Sequence, residues 1–203
     1  QEPMSMVMSL NNRTLRAQST IVARGVLIAE VTQAYERLHA TVSMNVLNGS
    51  SDEFRFAIDD DLEVNSVTSE LLSRWSIEKV DGKQQLLVSL RTPAVDREVV
   101  NIRLDRITRK LDAWRMPIFE PISVAGYSAV VGLLAEERLN VTSIEPEALI
   151  AIDSKLLLAA LPASLISPAA PPNSSSNCLH CSAVEVSHHS FAGRMLSLIH
   201  ISE

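Results

Sequence analysis

Strict alternation of apolar and polar residues is the feature that most constrains this chain. Between Leu38 and Val46 every second residue is apolar, and the residues between are His, Thr, Ser and Asn. A period of two places the apolar side chains on one face of an extended strand, whereas an amphipathic helix has a period near 3.6. The segment therefore predicts a β-strand with one buried face and one wet face.

Comparable alternating runs follow, separated by turn-forming residues, with a new strand about every ten residues up to residue 104. Asn48-Gly49 and Asp81-Gly82 each lie between two such runs and predict hairpins, because both dipeptides readily adopt the positive φ angles of tight turns. Many short strands without helical segments between them favour an antiparallel sandwich or barrel over a parallel sheet. The predicted strands contain Phe54–Ile58, Leu62–Val67, Trp75–Ile77, Leu86–Leu90 and Val100–Leu104.

We expect Leu38–Leu104 to form the best-packed unit. Trp75 is expected to plug the core between two sheets, where its large ring would bury much apolar surface. The alternative is that its ring is a platform on which a sugar stacks. The side chains predicted to be buried are Val42, Met44, Phe54, Phe56, Val64, Trp75, Ile77, Val88 and Ile102.

The segment before this unit, residues 13–37, is predicted to be strand. Val22, Val26, Ile28 and Val31 are β-branched, which favours strand over helix. A helix over Leu27–Leu38 is the alternative.

Charge and hydropathy exclude some classes of function. The net charge of −6 and the sequence pI near 5.4 disfavour nucleic-acid binding, which needs clustered Lys and Arg. The most apolar stretch, Ala148–Ile166, contains Asp153, Lys155 and Pro162, so no transmembrane segment is predicted in this fragment. No signal peptide is visible, and the chain begins at Gln1.

One part of the chain resembles another. Residues 54–72 align with 131–149 at a constant offset of 77, without a gap, as strand, acidic turn and strand. Either the chain holds two related β modules, or any two strands around an acidic turn look alike. Under the first interpretation 131–135 and 139–144 should sit as 54–58 and 62–67 do. The predicted domains are a β-sandwich module at 1–105 and a partial second β module with a short helical turn at 106–166.

Residues 167–203 are predicted to be linker and disordered tail that packs against neither module. The stretch 167–177 is rich in Pro and Ser and has too little apolar surface to offset the entropy of ordering. The last eight residues, LSLIHISE, resemble translated sequencing-adapter read-through, so the tail is expected to be non-native. The fold class is therefore all-β: antiparallel β-sandwich modules, the second incomplete, with a disordered C-terminal tail.

The tail also contains a motif that resembles a zinc site. Cys178, Cys181, His188 and His189 offer the ligand types that zinc prefers. A structural zinc site needs four ligands on a packed scaffold, and here the scaffold is a Pro/Ser linker and a suspect tail. We therefore interpret these residues as a chance cluster, and neither a metal nor a redox function is assigned.

Two further motifs lack the surrounding residues and secondary structure that their functions require. Ser128 in GYSAV resembles a nucleophile elbow, but Val130 replaces the closing Gly and the segment is predicted to be strand. Asp59, Asp60, Asp61 and Glu63 could gather around calcium, but the spacing is not that of an EF-hand and a solvated acidic turn is favoured. No catalytic, cofactor-binding or metal residue and no cofactor is predicted.

The order FRFAIDDDLEVNSV, then Trp75, then LLVSL, followed by ISVAGYSAVVGLLAEERLNVTSIE, resembles modules of large uncharacterised β-rich proteins of bacterial envelopes. The same region is similar, more weakly, to the all-β N-terminal domain of M1-type aminopeptidases. The first resemblance implies an extracytoplasmic or cell-envelope location. The second implies that the catalytic metal domain is absent from this chain.

From these observations we expect a non-catalytic structural or interaction module from a larger extracytoplasmic protein. Its partners would be neighbouring modules of the same polypeptide or other proteins, and no nucleic acid. The alternative is an all-β accessory domain of an enzyme, aminopeptidase-like or another hydrolase, whose catalytic domain lies outside this fragment.

Overall fold

The structure, a computed structural model, describes residues 19–107, 111, 114–136, 139–145, 150–152, 180–188 and 198–202. Every extended or helical element of more than one residue among them is a strand, which confirms the all-β prediction. The strands are β1 (Thr20–Val31), β2 (Tyr35–Asn48), β3 (Ser51–Ile58), β4 (Glu63–Ser69), β5 (Leu72–Val80), β6 (Lys83–Ala94), β7 (Arg97–Ile107), β8 (Trp114–Arg115), β9 (Phe119–Ile122), β10 (Gly126–Ala135), β11 (Asn140–Glu145), β12 (Ile150–Ile152), β13 (His180–His188) and β14 (Leu198–Ser202).

These strands form three sheets. The seven-stranded sheet has the order β12-β13-β10-β1-β2-β7-β4, the four-stranded sheet β5-β6-β3-β9, and the three-stranded sheet β11-β14-β8. Strand pairs are antiparallel except β1 and β10, which run parallel from Val22 beside Gly126 to Val31 beside Ala135. The predicted antiparallel architecture is thus confirmed, with one parallel pair inserted into the large sheet among the described strands.

The core lies between the seven-stranded and four-stranded sheets. Alternate residues of β1, β2 and β7, such as Leu27, Leu38 and Leu104, form one hydrophobic cluster with the inward residues of β3 and β6. Phe56 of β3 stacks on Phe119 of β9 with ring centroids 5.2 Å apart. Apolar burial of this extent supplies most of the stabilisation, because each Å² removed from water contributes about 25 cal/mol.

Most of the described part of residues 13–37 is strand, as predicted: β1 covers Thr20–Val31 and β2 begins at Tyr35, while residues 13–18 lie outside the described residues. β1 is paired along both edges, to β2 on one side and β10 on the other. The alternative helix over Leu27–Leu38 is therefore excluded.

The two glycine turns behave differently. At Asp81-Gly82, β5 and β6 form the predicted two-residue hairpin, with Val80 beside Lys83 and φ angles of 52° and 77°. At Asn48-Gly49 the hairpin prediction is wrong, because β2 and β3 belong to different sheets. Both edges of β2 are already paired, to β1 and β7, so the turn carries the chain across to the second sheet.

The two acidic turns share a local geometry. The backbone N–H of Leu62 donates to the carbonyl of Asp59, and that of Leu139 donates to the carbonyl of Glu136, at the same offset of 77. Both leucines are buried. In each turn the acidic side chain also accepts a backbone N–H from a distant segment: Asp59 from Ile118, and Glu136 from Gln33.

The strands around the two turns have different neighbours. β3 lies between β6 and β9 in the four-stranded sheet, whereas β10 lies between β1 and β13 in the seven-stranded sheet. The expectation that 131–135 sits as 54–58 does is therefore wrong, and the equivalence is confined to the turn. The division into modules at residues 105 and 106 stays a prediction.

Two segments of the C-terminal tail are strands. β13 pairs with β10, and β14 pairs with β11 and β8. This contradicts the expectation that no part of 167–203 packs against the sheets. The predicted linker at 167–177 and the helical turn predicted after residue 152 lie outside the described residues. In the described part of the chain no helix is long and apolar enough to cross a membrane.

The predicted core is largely confirmed. Six of the nine residues are buried and Val64 is partly buried against the cluster; the six are Val42, Met44, Phe54, Phe56, Val88 and Ile102. The prediction is wrong for Trp75 and Ile77, which are 38% and 41% exposed. They pair with the buried Val88 and Leu86 and so share their face. β5 is an edge strand, however, and the residues that pack over Leu86 and Val88 of β6 do not extend over β5.

We predict that Trp75→Ala lowers the free energy of unfolding by less than about 1 kcal/mol, since the ring is already partly solvated. Phe56→Ala, the matched core control, should cost about 3–5 kcal/mol. Equilibrium denaturation in urea measures both, at a protein concentration low enough to exclude self-association. Equal losses for the two variants would place Trp75 in the core after all.

Gly25 of β1 lies against the ring of Tyr127. A Cβ at this position would lie 2.8 Å from the Tyr127 hydroxyl oxygen and 3.3 Å from Cε2 of the ring. The hydroxyl is buried and has no hydrogen-bond partner in the described part of the chain. Burial raises its pKa far above the ordinary value of 10.0.

We predict that Gly25→Ala destabilises the fold by about 1–3 kcal/mol through overpacking. Tyr127→Phe alone should be neutral or stabilising, because it removes a buried hydroxyl that makes no hydrogen bond. In the double variant much of the Gly25→Ala loss should be recovered. A double-mutant cycle by thermal denaturation measures the coupling, and strictly additive effects would contradict the proposed contact.

Candidate functional site

The face of the seven-stranded sheet turned away from the core is the candidate site, and we call it the outer face. It consists of the side chains that alternate with the buried ones along β1, β2, β7 and β4. In β1 it is apolar at Val26 and at Ile28, which is itself buried although it lies on this face, and in the three other strands it is mainly polar. The side chains that carry its polarity are Arg24, Glu30, Arg37, His39, Thr41, Ser43, Ser66, Thr68, Asn101, Arg103 and Asp105.

A groove of about 340 Å³ crosses this face. Its floor is apolar at Val26 and Ile28, and the Thr41 hydroxyl donates to the Asn101 side-chain oxygen at 2.9 Å. Six side chains from β2, β4 and β7 line its polar part: His39, Thr41, Ser66, Thr68, Asn101 and Arg103.

The groove contains one histidine and one arginine. The His39 side chain is 16% exposed, and its Nε2 lies 3.5 Å from a carboxylate oxygen of Glu30 without forming a hydrogen bond. Arg103 beside it makes no ion pair with any residue that the structure describes. The groove therefore presents the Arg103 guanidinium to a ligand, and the His39 ring forms part of its wall with Nε2 buried toward Glu30.

A row of charged residues lies beside His39 on the same face. Arg37 donates to Asp105 at 2.8 Å, lies 3.7 Å from Glu30 and packs over the Tyr35 ring at 4.8 Å. The Tyr35 hydroxyl donates to Glu30 at 2.8 Å. His39, Tyr35 and Arg37 together hold the pKa of Glu30 below its ordinary value of 4.5, against the opposing effect of burial. Glu30 therefore stays ionised at neutral pH.

This geometry favours binding over bond-breaking chemistry. A nucleophile needs a base within hydrogen-bond reach. Ser66 lies opposite Arg103, which lies opposite His39, so two strand spacings of about 4.8 Å each separate the serine from the histidine. Thr41 is two residues from His39 along the same strand, about 6.6 Å away. The groove thus offers hydrogen-bonding groups and positive charge rather than a nucleophile and its base.

A second polar cluster is buried between the sheets. The Arg106 guanidinium donates to Glu36 through Nε at 2.7 Å, and the two side chains are 4% and 3% exposed. It also reaches Asp61 at 3.4 Å and the carbonyl of Arg115 at 3.4 Å. Arg106 therefore links β2, β7, the acidic turn and β8, which is a structural role.

The residues considered for calcium are engaged with the protein itself. Asp59 accepts the backbone N–H of Ile118, Asp60 accepts that of Gln84, and Asp61 accepts Arg106. Glu63 lies on β4 opposite Asp105. In the described residues no group of three or more His, Cys, Asp and Glu side chains could hold a metal ion.

The other candidates are dispersed. Ser128 lies inside β10, beside Arg24 of β1, and not at a strand-to-helix turn. Cys178 and His189 lie outside the described residues. Cys181 and His188 stand seven residues apart on β13, opposite Leu134 and Tyr127. An extended strand separates such positions by about 23 Å, too far for one metal ion.

Sequence reasoning missed the two polar pairs. Glu36 and Arg106 fall in the same alternation phase as the buried Leu38 and Leu104. Charged residues at core positions of two strands are a signal for a buried ion pair, and it could have been found. His39 and Glu30 lie on different strands, and only the register between β1 and β2 brings them together.

Comparison with known proteins gives fold similarity alone. No family model matches the chain, and no curated protein matches it. A variant of the M1 zinc metallopeptidase of Deinococcus radiodurans, bound to a Tyr-Ser-Ala substrate, matches with a TM-score of 0.52 at 8% identity. Native yeast LTA4 hydrolase matches with a TM-score of 0.53 at 11% identity.

These matches cover nearly all of this chain but a minority of the other proteins. The metallopeptidase match covers 90% of this chain and 42% of that one, and the hydrolase match 95% and 30%. The chain thus spans less than half the length of the solved structures it resembles. At such identities the likeness concerns the path of the backbone and not the residues of a site.

We predict that Arg106→Met destabilises the fold by about 3–5 kcal/mol, because it leaves the Glu36 carboxylate buried without its partner. Replacing both residues, Arg106→Met with Glu36→Leu, should recover most of that loss. Arg103→Met on the outer face is the control and should change stability by less than about 0.5 kcal/mol. Chemical denaturation measures all three, and a double variant no more stable than Arg106→Met would contradict the pairing.

Proposed function

We propose that this chain is a non-catalytic, all-β accessory domain of a larger protein of the M1 peptidase type. The proposal rests on the share of each chain that the structural matches cover. Nearly the whole chain follows the backbone of M1 zinc metallopeptidase and LTA4 hydrolase structures, yet it accounts for under half of either. The resemblance of the sequence to the all-β N-terminal domain of M1-type aminopeptidases supports the same conclusion.

The geometry of the outer face supports a binding role within that larger protein. The groove combines an apolar floor with hydroxyl, amide, imidazole and guanidinium groups. Such a mixture suits a peptide segment, whose amides need both donors and acceptors and whose carboxylates need a cation. Arg103 is the side chain best placed to meet an acidic group.

A second candidate function is a structural module in an extracytoplasmic protein built from repeated β units. It is favoured by the resemblance of residues 38–150 to modules of β-rich bacterial envelope proteins. The turn that Asp59–Leu62 and Glu136–Leu139 share does not by itself indicate a repeat, because the adjoining strands have different partners. In that case the chain would bind neighbouring modules, and the gene would encode further copies of the pattern found at residues 54–72. The same locus would also reveal whether LSLIHISE is encoded or is adapter read-through.

The test is the reading frame of the source gene, followed by an activity measurement. We expect a zinc-binding H-E-x-x-H motif in the continuous frame, since that arrangement supplies two zinc ligands and a general base. The full-length protein should hydrolyse an aminoacyl p-nitroanilide and lose activity with a chelator. The 203-residue chain alone should be inactive under the same conditions.

Two results would overturn the proposal. Further β units without a catalytic motif in the frame would favour the structural module. Hydrolysis by the isolated chain, retained in repeated preparations and abolished by Arg103→Met or His39→Gln, would make the outer face itself an active site.

A further inference from the structure

The edge of the four-stranded sheet formed by β5 is more exposed than the strands β1 to β4, β6 and β7. β5 pairs with β6 on one side and with no described strand on the other. Seven of its nine residues are exposed. The N–H and C=O groups along this free edge can pair with another strand.

The free edge also carries uncovered apolar surface. Trp75 and Ile77 extend the core face of the four-stranded sheet one strand beyond the buried Leu86 and Val88. Exposed apolar surface that continues a core face, with charged residues beside it, is typical of an interaction surface.

We propose that β5 pairs antiparallel with β5 of a second copy of this chain, about a two-fold axis at Ser76. The two four-stranded sheets would then form one continuous sheet, and the closed symmetry would limit assembly to a dimer. This inference stands on the sequence and exposure of β5 and does not depend on the proposed function.

The charges on β5 are complementary to themselves in this register. Pairing about Ser76 places Arg74 opposite Glu78 of the second copy, and Trp75 opposite Ile77, each twice. Arg74 and Glu78 lie on one face of the strand, while Trp75 and Ile77 lie on the other. In each of the four contacts the two partners therefore lie on the same face of the joined sheet. Opposite charges and aromatic–aliphatic pairs directly across two strands are stabilising.

Neighbouring registers are less favourable. An axis at Trp75 places Arg74 opposite Ser76, and an axis at Ile77 places Glu78 opposite Ser76, so the charged residues lose their partners. Within the chain Glu78 contacts Arg55 at 3.3 Å through one oxygen, which leaves acceptor capacity for a second guanidinium. Arg74 meets no carboxylate in the described part of its own chain. A second copy supplies that carboxylate.

Charge reversal tests the register on the intact 203-residue chain. Sedimentation velocity of the wild type should show a concentration-dependent monomer–dimer equilibrium. Arg74→Glu and Glu78→Arg should each weaken the dimer at least about tenfold, because each sets like charges opposite one another twice. Lys79→Glu is the matched control: it makes the same change of charge as Arg74→Glu on the same strand, opposite Ser73, and should leave the dimer intact.

Mixing the two weakened variants is the sharpest measurement. In the mixed dimer the glutamate introduced at position 74 of one copy would face the arginine introduced at position 78 of the other. The unchanged Glu78 of the first copy would face the unchanged Arg74 of the second, so a heterodimer should form where neither variant self-associates. The double variant, with both substitutions in one chain, should dimerise as the wild type does.

Two further measurements keep the result interpretable. Circular dichroism and thermal denaturation establish that each variant is folded. Trp75→Ala, which removes an apolar contact instead of a charge, gives a second independent loss of dimer.

Three outcomes would overturn the proposal: a wild type that stays monomeric up to about 100 µM, which puts the dissociation constant of any dimer above that concentration; single variants that dimerise like the wild type; or a mixture of folded variants that forms no heterodimer. A dimer lost with Lys79→Glu but not with Arg74→Glu would also reject this register.

Discussion

The fold depends on a buried ion pair between Glu36 and Arg106. These residues occupy core positions of β2 and β7, and the next residues on the same face, Leu38 and Leu104, are buried and apolar. Removing two charges from water is costly, and the cost is offset only when both are fully hydrogen-bonded. Arg106 meets that condition by reaching beyond Glu36 to Asp61 and to the carbonyl of Arg115. The same guanidinium thus joins the large sheet to the turn that starts β4 and to the short strand β8.

The acidic turn explains why the chain resembles itself. In a protein of stacked sheets, the chain must repeatedly leave one sheet and enter another, and each crossing exposes backbone groups that need partners. At Asp59–Leu62 and Glu136–Leu139 the same solution recurs: a backbone hydrogen bond closes the turn, a leucine is buried, and a carboxylate accepts an N–H from a passing segment. The similarity at an offset of 77 therefore reflects a shared turn, since the adjoining strands have different partners.

Two surfaces remain for function, and they differ in physical character. The outer face is a broad, mixed surface on which most charges are paired, with Arg103 and His39 left facing the groove. The β5 edge is narrow and combines free backbone groups with Trp75 and Ile77. A polar groove suits a peptide held by directional hydrogen bonds, whereas an apolar edge strand suits another strand. An accessory domain of a larger protein could use both at once, because they lie on different sheets.

The sequence by itself determined the strands from β1 to β7, most of their wet and buried faces, and the Asp81-Gly82 hairpin, because alternation and turn chemistry are local properties of the backbone. It did not indicate β13 and β14, which fall where a disordered tail was predicted. The sequence also contained a signal for the buried ion pair, because Glu36 and Arg106 occupy positions at which the alternation predicts buried, apolar residues. Only the tertiary structure decided which strands share a sheet, that β1 and β10 run parallel, and that His39 lies beside Glu30. The exposure of Trp75 has the same origin. Its position in the alternation fixes the face on which it lies, but burial needs a second layer above that face, and the layer that covers Leu86 and Val88 ends before it reaches β5.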